Sequence, residues 1–348
     1  MKTINRIIIV GCILWGISGA SVGAQPALTE RLKTASEKAG TKERLPVLVY
    51  FSDKGILTKE DVNEALKRRR FEITPRAIKR RAKMGREHMT FEDLPVCADY
   101  ISWIEKTGAL SRQRLNWFNA ASFMMTPAQI KACQGLSFIK RIDLLPSRRK
   151  RAPQEFETAV QKMPEAGSPK AHLLSYGPSF TQDSLINAVV CHDSGYSGQG
   201  VLIAMFDTGF RKGHAAFDSI HSAGRLVDEW DFCTNLPLVD SASHGTGTWS
   251  EAGGYVPGQL IGPAYKALWA IYHTEDLSQE MPVEEDHWAA ALQRADSVGA
   301  DVVSSSLGYR DFDSTEYSYG YEDLDGKTAI SSVAASHAAS LGIIVCNS

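Results

Sequence analysis

Val201-Leu-Ile-Ala-Met-Phe-Asp207-Thr-Gly209 is the stretch whose reading decides the fold. Six apolar residues in a row, with Gly198 and Gly200 before them and Gly209 after, match a strand buried on both faces, as in the parallel sheets of α/β proteins. The run ends on an acid. Open α/β sheets bind their ligands at the carboxyl ends of the strands, and an ionised group there costs free energy unless it is hydrogen-bonded or paired. Asp207 therefore requires a partner. His244 offers one: it opens His-Gly-Thr-Gly-Thr-Trp-Ser-Glu-Ala-Gly, a polar turn running into a small-residue helix suited to close packing on the sheet. A histidine at that helix start is placed to meet the strand-end carboxylate.

Downstream, Leu268–Tyr272 and Asp301–Gly308 read as further strands, and a fourth starts at Ile343. Between them, Pro282 to Val298 has helical apolar spacing through Trp288, Ala291, Leu292 and Ala295. Glu284, Glu285 and Asp286 stand in its first turn, where the macrodipole favours acids, and Gly299 ends it. Ser332–Ser340 is a small-residue helix ended by Gly342. Strands alternating with helices imply a doubly wound parallel sheet, the α/β class.

Upstream the pattern differs. Pro46–Phe51 and Phe118–Met125 read as strands; Thr126 caps a helix with Pro127 at its first position, and Phe138–Ile142 alternates as another strand. This order predicts a small α+β domain. Thr58 to His88 is helical and rich in basic residues, including Lys67–Arg70 and Lys79–Arg81, but Glu60, Asp61, Glu64 and Glu72 interleave. A solvated helix face is the reading there, not a nucleic-acid patch. Arg148-Arg-Lys-Arg151 opens a proline-containing linker to about Ser184. That basic run is either a solvated tether, the favoured reading, or a site cut by a trypsin-like or dibasic processing enzyme.

The amino terminus sets the compartment. Lys2 and Arg6 precede the apolar run Ile7–Ile17, and Val22-Gly23-Ala24 supplies small residues for cleavage, the three-part pattern of a secretory signal. The run is too short to serve as a membrane span, so no stable span is expected once it is removed. The expected location is secreted, periplasmic or at the cell surface. Nucleic acid is excluded as a partner by export and by a net charge of -2 over 348 residues. Cys97, Cys133, Cys191, Cys233 and Cys346 remain after cleavage, widely spaced and without Cys-x-x-Cys, so spacing indicates neither a zinc site nor a dense disulfide scaffold. The expected organisation is a signal over 1–24, a lead-in over 25–44, the α+β domain over 45–147, a linker over 148–184 and the α/β domain over 185–348.

Three chemistries compete at Asp207. Asp-Thr-Gly is also an aspartic-peptidase signature, but that reaction needs two carboxylates sharing a proton, and the second candidate, Asp193-Ser-Gly195, is too near in sequence to found another lobe. A metal site would join Asp207 and His244 to His214 or His221, yet no His-x-x-x-His or Glu-paired spacing is present, and no metal ligand is assigned. For either residue alone, a helix-capping Asp or a packed His would be the better reading.

Taken together, Gly198-Gln-Gly-Val-Leu-Ile-Ala-Met-Phe-Asp-Thr-Gly209 resembles the aspartate motif of the subtilisin-like serine peptidases, the subtilase or S8 family. It is preceded by Ile186-Asn-Ala, which resembles that family's approach to the domain. His244-Gly-Thr-Gly-Thr resembles the histidine motif, with Gly247 where a second histidine is common, and Asp301-Val-Val-Ser-Ser-Ser-Leu-Gly308 resembles the strand that binds substrate backbone. The small domain, through Phe118-Asn-Ala-Ala-Ser-Phe and Thr126-Pro-Ala-Gln-Ile130, resembles the family's inhibitory propeptide.

The resemblance implies that Asp207 orients His244, that His244 acts as general base and then general acid, and that Ser306, Leu307 and Gly308 hold a polypeptide substrate as an added strand. It implies an intramolecular propeptide as partner; no cofactor is identified, and structural calcium enters only through the family. The aspartate-before-histidine order is that of subtilisin, with serine last. One departure is large: the family's Gly-Thr-Ser does not occur here, and its Ala-Gly-Asn oxyanion phrase would begin after Ser348, so Asn347 is not that residue. The expectation is a secreted serine endopeptidase whose nucleophile lies beyond the sequence given, the 348 residues alone being an inactive fragment. The competing expectation is a truncated or pseudo-peptidase that only binds another peptidase or a peptide.

Overall fold

The computed structural model describes residues 27–56, 58–145, 172–238, 244–275, 284–308, 321–323 and 325–348. The expected signal over 1–24, the basic run Arg148–Arg151 and the expected linker up to residue 171 lie outside them.

The amino-terminal module contains β1 (Ala27–Leu28), α1 (Glu30–Lys38), β2 (Leu45–Phe51), α2 (Lys59–Glu72), α3 (Pro75–Ala82), α4 (Ala98–Glu105), β3 (Leu110–Leu115), β4 (Ala120–Met125), α5 (Pro127–Cys133) and β5 (Ile139–Leu144). Its sheet runs β1-β5-β2-β4-β3, antiparallel except for β1 on β5. The stretch expected as a lead-in thus contributes an edge strand and a helix whose Leu32 and Ala35 are buried with the module's own core. Alternation divides the strands between two faces. Val47 and Val49 point to the side covered by α1, α4 and α5, whereas Leu48, Leu115 and Ala120 join a different cluster, formed with the second module.

That second module contains α6 (Phe180–Leu185), α7 (Ala188–Asp193), β6 (Leu202–Asp207), α8 (Asp218–Ser222), β7 (Leu226–Asp231), α9 (His244–Gly253), β8 (Tyr255–Val256), β9 (Leu260–Ile261), β10 (Leu268–His273), α10 (Glu285–Val298), β11 (Val302–Ser305), α11 (Ile330–Ser340) and β12 (Ile344–Asn347). Its five-stranded sheet is parallel throughout, in the order β12-β11-β6-β10-β7, so the decisive stretch is the central strand. β6 is apolar from Leu202 to Phe206 because both its faces are covered. Ala204 and Phe206 pack with α10 and α11; Met205 packs with Trp249 of α9 and Trp269.

The modules are joined through α10, which lies between the two sheets and is buried along most of its length. The joint is polar at its anchor points. Asp286 accepts from Arg112 Nε (3.1 Å) and from Ser122 Oγ (2.5 Å), and Gln293 accepts from the Trp117 backbone N–H (3.1 Å). Arg80 and Arg81 both pair with Asp296, and Arg81 also with Asp93 (2.8 Å).

These contacts correct the reading of residues 58–88 as one solvated basic face. α2 fits it, with no buried residue, and Thr74-Pro75 starts a separate helix. In α3, however, Arg80 and Arg81 are only 3% and 1% exposed. The carboxylate that neutralises them, Asp296, lies more than two hundred residues downstream, where no local charge pattern could announce it. The linker is likewise shorter than expected: Tyr176 is already buried, with its hydroxyl 2.7 Å from His192 Nδ1. Among the described residues no helix is long and apolar enough to cross a membrane.

Candidate active site

Alternation along β6 places Asp207 on the Met205 side of the sheet, the side carrying α9. His244 is the first residue of that helix. Its Nδ1 lies 2.7 Å from Asp207 Oδ1, joining the two residues singled out in the sequence. Two glycines let the elements come this close. A Cβ on Gly245 would stand 2.2 Å from the Gly209 carbonyl oxygen and 2.9 Å from Asp207 Cβ; one on Gly253 would stand 2.2 Å from the Trp269 ring.

Asp207 is fully buried, and its cost is met by hydrogen bonds. Oδ1 also accepts from the Thr208 backbone N–H (2.7 Å), and Oδ2 accepts from Thr248 Oγ1 (2.9 Å), one turn along α9. The Thr248 hydroxyl lies 3.1 Å from the Gly245 carbonyl as well, but the shorter contact to a charged acceptor is the stronger claim on its single hydrogen. A carboxylate only accepts, so His244 Nδ1 carries the proton and Nε2 presents its lone pair. The imidazole is 55% exposed, and among the described residues no serine hydroxyl bonds it.

Ser306, Leu307 and Gly308 follow β11 directly. In the β11–β6 register Ser305 stands opposite Phe206, so the three residues continue at the level of Asp207, with Leu307 buried and Gly308 exposed. The residues of the competing chemistries are engaged elsewhere: His214 Nδ1 accepts from the Ala216 N–H, His221 Nε2 bonds the Lys212 carbonyl, and Asp193 is 2.8 Å from His172 Nδ1.

Sequence reading missed three features. Thr248 is not legible in the sequence, because a threonine in a small-residue helix carries no signal of its own. Asp286 has the sequence position of a helix-dipole acid, yet it is the buried anchor of the other module. His287 beside it is pushed down to about 4, by burial first, and its Nε2 lies 2.8 Å from Arg112 Nη2. Asp231, Cys233 and His273 also come together, from the end of β7, the turn after it and the end of β10.

Fold and site together define the class: a subtilisin-like α/β domain with a propeptide-type module docked on its helices. Residues 198–348 match the subtilase family, and residues 46–160 match the peptidase S8 propeptide domain of Bacteroidota. Both matches lie in one family, peptidase S8: the chain carries a subtilase domain over residues 198–348 and an S8 propeptide domain over residues 46–160. No curated protein matches it in sequence. Among solved structures it is similar in fold to the epidermin leader peptide processing serine protease EpiP of Staphylococcus aureus (14% identity, TM-score 0.50) and to a serine-to-alanine mutant of that protein (15% identity, TM-score 0.51). Each comparison covers 88% of this chain and 60% of the other.

Proposed function

We propose that this polypeptide functions as part of an exported serine endopeptidase precursor, with Asp207 and His244 as two members of its triad and the hydroxyl nucleophile supplied by sequence following Ser348. The observation that carries the reading is the 2.7 Å contact from His244 Nδ1 to a fully buried Asp207, which leaves the other face of the ring turned toward solvent. In that geometry Asp207 fixes the tautomer and stabilises the imidazolium, while Nε2 takes a proton from the attacking hydroxyl and returns it to the leaving amine. Ser306–Gly308, which continue from β11 at the level of Asp207, would pair with the substrate backbone. The amino-terminal module would act as folding aid and inhibitor, a role supported by the area of α10 it covers and by its anchors on Asp286 and Asp296.

The test is covalent labelling of the complete gene product with a fluorophosphonate, followed by mapping of the modified residue. A serine downstream of residue 348, labelled in the wild type and lost in His244→Ala, is the expected result. Labelling inside residues 1–348, or labelling indifferent to His244, would overturn the assignment. No labelling, with tight binding of a peptide or of another peptidase, would favour the binding protein instead.

A further inference from the structure

A second constellation lies one strand from the dyad. In the parallel register of β10 and β7, His273 stands opposite Asp231, and in that of β10 and β6 it stands opposite Asp207. Asp231, Cys233 and His273 each bring a ligand-type atom within 4.8 Å of the other two. His273 Nδ1 is 3.1 Å from Asp231 Oδ2, and His273 Nε2 is 2.9 Å from the Glu275 carbonyl oxygen. A carbonyl only accepts, so Nε2 carries hydrogen, and a neutral ring then turns its Nδ1 lone pair onto a carboxylate oxygen. Two acceptors in that position need a positive charge between them, either a proton or a metal ion.

The surroundings hold these atoms in place. Asp231 Oδ1 accepts from the backbone N–H groups of Cys233 (2.8 Å) and Thr234 (3.1 Å), which turns Oδ2 toward His273. The Phe232 N–H donates to the His273 carbonyl (2.9 Å), tying the loop after β7 to the end of β10. Cys233 is in no disulfide, and its Sγ lies 3.9 Å from that same carbonyl. An imidazole nitrogen, a sulfur and a carboxylate oxygen form the donor set of a borderline-soft cation, whereas calcium and magnesium take oxygen alone.

We propose that Asp231, Cys233 and His273 form a binding site for a thiophilic divalent cation of the zinc class. Cys233 releases its thiol proton to solvent on binding, Sγ, Nδ1 and Oδ2 occupy three positions, and water takes the fourth. The inference does not depend on the peptidase reading, because it concerns binding alone.

The probe is Co²⁺ titrated into the full chain and followed by near-ultraviolet absorbance. The expected result is a thiolate-to-cobalt charge-transfer band that saturates at one equivalent, is bleached by Zn²⁺ and is unaffected by Ca²⁺. Cys233→Ser should abolish the band, and His273→Gln and Asp231→Asn should each weaken binding by about tenfold or more. Cys191→Ser, on an exposed thiol elsewhere, should change nothing. Near-ultraviolet circular dichroism of the variants, matched to wild type, separates lost ligation from lost folding. Absence of the band in the wild type, its survival in a folded Cys233→Ser variant, its loss in Cys191→Ser, displacement by Ca²⁺, or unchanged affinity in the His273 and Asp231 variants would each overturn the site.

Discussion

At the scale of single residues, Asp207 is held by groups whose removal has separable effects. Thr248→Val takes away the donor to Oδ2 and leaves a buried charged oxygen short of a partner. In the proposed enzyme this should lower kcat by roughly tenfold with little change in KM, since Thr248 acts through Asp207 on the imidazole, and Thr248→Ser should restore it. Steady-state kinetics of the two variants side by side checks this. Gly245→Ala is expected to be more damaging. The added methyl would meet the Gly209 carbonyl, so the start of α9 must move and carry His244 with it. A displacement of about 1 Å is enough to cost on the order of a hundredfold in turnover. Both key residues could be read from the sequence because each sits at a boundary that local pattern marks, the end of an apolar run and the start of a helix. Thr248 could not, since its role depends on where α9 packs.

At the scale of elements, β6, α9 and α10 are legible because their periods are clean and glycines punctuate them. β3 and β7 are not. Both are sheet-edge strands, and β7, Leu-Val-Asp-Glu-Trp-Asp, carries three acids in six residues without a strand period; Asp228 is accommodated by pairing with Arg294 (2.7 Å) and with the Tyr272 hydroxyl (2.5 Å). The α3–α10 joint is the element contact most open to test. Arg81→Met leaves Asp296 with Arg80 but strands Asp93, and breaking a buried ion pair from one side typically costs about 3–5 kcal/mol. Urea unfolding should show a midpoint lowered accordingly. An unchanged midpoint would mean that the joint adds nothing to stability.

At the scale of the whole molecule, the interface between the modules should respond to acid. His287 faces Asp286, Arg112 and His273 from three elements, and burial first, then the Arg112 charge, holds it down to about 4 against an ordinary value of 6.5. Between those values the unfolded chain binds a proton that the folded chain refuses. Stability from this residue is therefore complete above about pH 6.5 and falls as the pH drops toward 4. Asp286 acts in the same direction lower down. Burial raises it, but Arg112 and His287 more than offset that, so its contribution is lost below the ordinary carboxylate range. Urea midpoints from pH 7 to pH 4 should decline, and His287→Gln should flatten the upper part of that decline. The docking of one sheet onto α10, and so this pH dependence, was out of reach of sequence pattern, because it joins residues about 170 positions apart, Arg112 and Asp286.

In the complete gene product the Asp207–His244 pair should drive peptide-bond hydrolysis. The most direct measurement is the turnover of a peptide substrate by the complete gene product and by its His244→Ala variant, matched for folding by circular dichroism. A loss of roughly four to six orders of magnitude in kcat is predicted. Turnover that survives unchanged in a folded His244→Ala protein would contradict the account.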